Sequence, residues 1–89
     1  MNNRIVLGSI ALDLQRVALG YHRGSLTMAN RFHKEALKRK EEIDENSVKP
    51  YIKKLLGNIE HITLEKDKEK VAENALLYSI LLQNAAVVA

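Results

Sequence analysis

The stretch Arg4–Tyr21, RIVLGSIALDLQRVALGY, decides the fold. Leu7, Ile10, Leu14, Val17 and Tyr21 recur at spacings of three and four, the mark of a helix with one buried face. Ala11 and Ala18 widen that stripe. Ile5, Leu12 and Leu19 repeat every seventh residue and form a second stripe, well round the helix from the first. Ser9, Asp13 and Arg16 fill the gap between the two on one side. A helix that buries a single face has no use for two, so the second stripe predicts contact with a further surface.

The other end of the chain carries the same surplus. The pattern predicts a helix over Glu65–Val88, capped by Thr63 or Asp67, with a wet start at Lys66, Lys68, Glu69 and Lys70. Val71, Ala75, Tyr78 and Leu82 share one face, Leu76, Ile80 and Val87 a second, and Leu77, Leu81 and Val88 a third. A helix apolar nearly all round is normally enclosed. Three short neighbours would cover two of its faces, and a second chain is the simplest cover for the third. The candidate oligomer interface is therefore Ile5, Leu12 and Leu19 with Leu77, Leu81 and Val88.

Between these ends lie two more helices. Leu26–Asp44, capped by Ser25 or Thr27, puts Met28, Ala29, Phe32, Ala36 and Ile43 on one face and leaves Leu26 and Leu37 at its flank. Val48–Ile62, capped by Ser47 with Pro50 in its first turn, aligns Val48, Ile52, Leu55, Ile59 and Ile62. Gly57 falls inside it, where a close helix crossing would account for it. Short connections make consecutive helices antiparallel. The expected architecture is all-α: residues 1–89 as a single helical domain, either a small up-down four-helix bundle or a dimer of helical hairpins.

Size and composition agree. A chain of 89 residues buries only about 60–65% of the surface that its unfolded form exposes, so its own core is marginal. Cysteine is absent, which excludes disulfides, thiolate zinc sites and thiol catalysis. Hydrophobic residues are 46% and charged residues 28%, a globular mix. The apolar run Ile5–Leu12 is short, followed at once by Asp13 and Arg16, and does not read as a secretory signal. The run Ala75–Ala89 is short of the ~20 residues that a hydrocarbon core requires. Both are expected to face protein, in a cytoplasmic chain.

Catalytic and metal chemistry find little footing. His22, His33 and His61 are far apart, and the residues three before them are Leu19, Asn30 and Asn58, so no Glu-x-x-His pair exists. Ser9, Ser25, Ser47 and Ser79 lie outside any Gly-x-Ser-x-Gly context. Ser9 and Ser79 fit as small residues at packed positions. The Gly20–Gly24 break matches no phosphate loop. It also lacks the small residue, four positions before the turn, with which a helix-turn-helix draws its helices together. No cofactor or metal is expected.

Two further readings remain. Arg16 and His22, with five residues between them, are similar to the Arg/His motif of the HEPN class of helical ribonucleases. The resemblance rests on those two residues, and it implies handling of an RNA backbone near a dimer seam. Val-Ala-Leu follows Arg16 here, where that class usually has a polar neighbour. Separately, Arg31, Lys34 and Lys38 form a basic stripe on the second helix, and Lys49, Lys53 and Lys54 a cluster on the third. Such groups neutralise phosphates and would make a dimeric nucleic-acid-binding accessory protein. Glu35, Glu41 and Glu42 interrupt the stripe, and the net charge is only +3. The first expectation is a non-enzymatic assembly protein: a homodimer, open to a further protein partner, with no membrane partner.

Overall fold

The computed structural model describes residues 2–88. Its helices are α1 (Asn3–His22), α2 (Leu26–Lys40), α3 (Pro50–Asn58) and α4 (Lys68–Val88). Two 3-10 turns join them, Glu45–Ser47 before α3 and Ile59–Leu64 after it. No strand occurs among the described residues, and the all-α expectation holds.

α1 is the central element and packs along its length against both α2 and α4. Both pairings are antiparallel. Gly20 meets Ala29 at one end of the α1–α2 pair, Asp13 meets Arg39 further along, and Asn3 meets Asp44 at the far end. On the other flank the Ser79 hydroxyl donates to the Ala11 carbonyl at 2.8 Å, while His22 shares a groove with Lys68 and Glu69. α3 and the turn after it bridge α2 and α4. His33 Nε2 lies 2.9 Å from the Ile59 carbonyl, Lys40 pairs with Glu60 at 2.8 Å, and Asn58 donates to the Tyr78 hydroxyl at 3.4 Å. The result is a layer of three long helices with a short strap across one side.

The predicted seam of α1 is the core: Leu7, Ile10, Leu14 and Val17 are fully buried. Val6 joins them, and Tyr21 is half-buried. Asn2, Ser25 and Asp67 accept backbone N–H bonds at the starts of α1, α2 and α4, satisfying donors that have no partner within the helix. α1 ends where Gly24 takes φ 74, a left-handed conformation that suits glycine, and Ser25 N–H returns to the Gly20 carbonyl.

The structure corrects several sequence expectations. α2 stops at Lys40, short of Asp44, because the Asp44 carboxylate instead caps the 3-10 turn through the Asn46 N–H and the Ser47 hydroxyl. Ser47 is thereby occupied, and α3 begins at Pro50 with no side-chain cap. α3 tightens into 3-10 geometry after Asn58. Three residues per turn stack Ile59 over Ile62, continuing a line from Leu56. Leu56 is thus buried, and the expected Leu55 is pushed to the edge.

Two glycines exchange roles. Nothing lies within 4 Å of a Cβ built on Gly57, so no helix crosses there. At Gly20 a Cβ would lie 2.8 Å from the Ala29 nitrogen. The small residue four positions before the Gly24 turn is therefore present, and the hairpin closes on it. Asp13, expected in a polar gap, is 2% exposed. α4 buries one face, through Val71, Ala75, Ser79, Leu82, Ala85 and Ala86, where cover for two was expected.

Candidate functional site

The strap is what positions the candidate surface. On α4, Tyr78 and Ala85 face α3. At about 100° per residue, Leu76, Ile80 and Val87 lie about 180° round from Tyr78, on the side of the layer that the strap does not reach. They are 46%, 51% and 63% exposed. The second stripe of α1 opens on that same side, with Leu12 and Leu19 both bordering Leu76 in the groove between α1 and α4. Ile5, Leu12 and Leu19 are 60%, 46% and 39% exposed. Ile5 and Val87 meet the far end of this face through the antiparallel pairing of α1 with α4.

The structure thus brings the predicted α1 stripe together with the middle stripe of α4. Leu77, Leu81 and Val88 are also exposed, but they follow the opposite edge of α4. Leu81 and Val88 border α3 in a groove with Tyr51, Lys54 and Leu55. The sequence reading joined Leu77, Leu81 and Val88 to the α1 stripe; the structure instead turns that edge of α4 toward the strap and sets Leu76 and Ile80 beside Leu12 and Leu19.

A charged band flanks the apolar face on its α2 side. Arg39 Nε donates to Asp13 Oδ2 at 2.9 Å, and Arg16 lies 3.9 Å from Asp13 Oδ1. Burial pushes the Asp13 carboxyl above its ordinary value, and the Arg39 guanidinium opposes that rise. Arg16 and Arg31 both stand over the Phe32 ring, 5.1 and 5.5 Å from its centroid.

Arg16 and His22 border one open groove, together with Leu19, Glu69, Glu73 and Leu76. Arg16 is already engaged by Asp13 and Phe32, while His22 is exposed at the helix end. His33 is no surface residue: it is half-buried and ties α2 to the strap. A carbonyl only accepts, so His33 Nε2 carries the hydrogen. No group of three metal-ligating side chains occurs among the described residues.

The basic residues Arg31, Lys34 and Lys38 are exposed on α2, Lys53 and Lys54 on α3, and Lys49 just before α3. They sit on separate helices. Lys38 shares its surface with Glu35, Glu41 and Glu42, and Lys54 borders the Leu81 groove. α4 is, by length and composition, apolar enough to cross a membrane, although the apolar run within it looked too short; one of its faces is buried against α1. Comparison with protein families, curated proteins and solved structures finds no match.

Proposed function

We propose that this chain is a small helical assembly protein that associates with a second copy of itself. The contact is the open side of the α1–α4 pair, and one observation carries it. Ile5, Leu12 and Leu19 on α1 and Leu76, Ile80 and Val87 on α4 open on one side of the pair, each between 39% and 63% exposed. Six such side chains leave several hundred square ångströms of apolar surface, on the order of the largest patch that a monomer carries (~300–600 Å²), a patch that is often functional. Gln15 and Gln83 line the groove between the two stripes, so the contact would pair polar groups along its middle as well as bury the apolar side chains.

A second copy is the occupant that the face fits. A two-fold axis brings the same patch of each copy together, so one apolar side on each chain is enough to cover both. Covering it would also complete a core that is marginal at this chain length. No catalytic step is assigned.

Light scattering over a wide concentration range tests the reading. The expected mass is twice 10.1 kDa, falling on dilution. Leu12→Glu should hold the mass at one chain while helicity is kept, and Leu81→Glu should leave the dimer intact. A single-chain mass for the unaltered protein at every concentration would overturn the proposal.

A further inference from the structure

We propose that the groove between α3 and α4 docks the apolar side of an acidic amphipathic helix from another protein. This groove is separate from the dimer face and lies on the strap side of α4. Tyr51 and Leu55 line it from α3, and Leu81, Ala85 and Val88 from α4. Tyr51, Leu81 and Val88 are all exposed.

The shape selects a helix. From Tyr51 to Asn58 the α3 wall runs about 10 Å. Over that length one helix face sets anchors at i, i+3 or i+4, and i+7. Both walls are helices, and no strand occurs among the described residues, so no sheet edge is offered to an extended segment. An extended chain would leave its N–H and C=O groups against apolar walls, whereas a helix pairs its own. A flat bilayer would reach the shoulders of the groove but not its floor.

The charge selects an acidic helix. Residues 48–59 hold Lys49, Lys53 and Lys54 and no acidic residue, and residues 74–88 carry no charged side chain. Lys54 lines the groove itself. Elsewhere lysines sit among carboxylates: Lys40 pairs with Glu60, Lys38 shares its surface with Glu35, and Lys68 shares its groove with Glu69 and Glu73. The α3–α4 walls thus present positive charge with no side-chain carboxylate to answer it, and glutamates beside an apolar stripe supply the complement. A second copy does not, because a two-fold contact here would set the lysine-bearing walls against each other.

The probe is a synthetic amidated helix of about 14 residues, with leucines at i, i+4 and i+7 and glutamates around them. Its twin carries lysines in place of the glutamates. Fluorescence anisotropy with the full chain should show saturable binding of the acidic probe, and binding of the twin weaker by about tenfold, the sum of a few exposed ion pairs. Leu81→Glu should lose the binding while keeping helicity and the mass of the unaltered chain. Lys53→Glu combined with Lys54→Glu should erase the preference for the acidic probe. Failure of that probe to bind, equal binding of the two, or binding that survives Leu81→Glu overturns the proposal. So does a fall in mass of Leu81→Glu, which would give the groove to a second copy. So does pelleting of the unaltered chain, but not of Leu81→Glu, with phosphatidylserine vesicles when no probe binds. The dimer reading is tested by Leu12→Glu, so either can fail while the other stands.

Discussion

Arg39 Nε donates to Asp13 Oδ2 at 2.9 Å, joining the last turn of α2 to the middle of α1. The Asp13 side chain is 3% exposed, that of Arg39 41%. The pair is thus a buried acceptor served by a half-wet donor, and such an acceptor is costly when left alone. Arg39→Ala should lower stability by about 1–3 kcal/mol at neutral pH. Urea unfolding measures it, and the cost should largely vanish when Asp13→Asn is also present.

The same carboxyl makes stability depend on pH. Burial raises the Asp13 pKa on folding, so the native state holds its proton above the pH at which the unfolded chain releases it. Its contribution is full below the ordinary carboxylate value, declines as pH rises through the raised value, and is flat beyond. Glu60 works the other way. Lys40 holds its carboxyl below the ordinary value, and that contribution is lost as pH falls through the lowered value. Midpoints of urea unfolding between about pH 3 and 8 should show Asp13→Asn losing the decline on the alkaline side of the ordinary value.

Glycine substitutions should split by position. Gly20→Ala drives a methyl group into the Ala29 backbone and should cost about 1–3 kcal/mol. Gly57→Ala meets open space in a helix and should stabilise by about 0.5–1 kcal/mol. Thermal unfolding followed by circular dichroism ranks the two. Equal effects would contradict the close α1–α2 contact.

Ending the chain after Tyr78 removes Leu82, Ala85 and Ala86, all buried against the rest of the core. The shortened chain should lose cooperative unfolding. A sharp thermal transition in it would show that the last turns of α4 are dispensable.

The strap should be the least protected part. α3 and its turn are held by His33, Lys40 and Asn58, and only Ile52, Leu56, Ile59 and Ile62 of this segment are buried. His33→Ala should raise amide exchange in residues 50–64 more than in α1.

What the sequence disclosed follows from what periodicity can carry. The buried seam of α1 and its spare stripe were legible because each recurs over nearly four turns of one helix. The choice between Leu76–Ile80–Val87 and Leu77–Leu81–Val88 was not, since α4 is apolar all round and only the strap breaks the tie. Asp13 reads as a wet residue until Arg39, distant in sequence, is brought beside it. The end of α3 was misplaced because three-residue and 3.6-residue repeats differ little over one turn.

Asn3 and Asp44 exchange two hydrogen bonds, at 3.2 and 3.0 Å, so the α1–α2 pair is fastened at its open end as well as at the Gly24 bend. Both clasps lie within the first half of the chain. During synthesis this pair can close while α4 is still inside the ribosome. The arc of α1 bearing Ala11 and Ala18 then waits bare until α4 emerges, and that interval is when the nascent chain has most need of shelter from its neighbours.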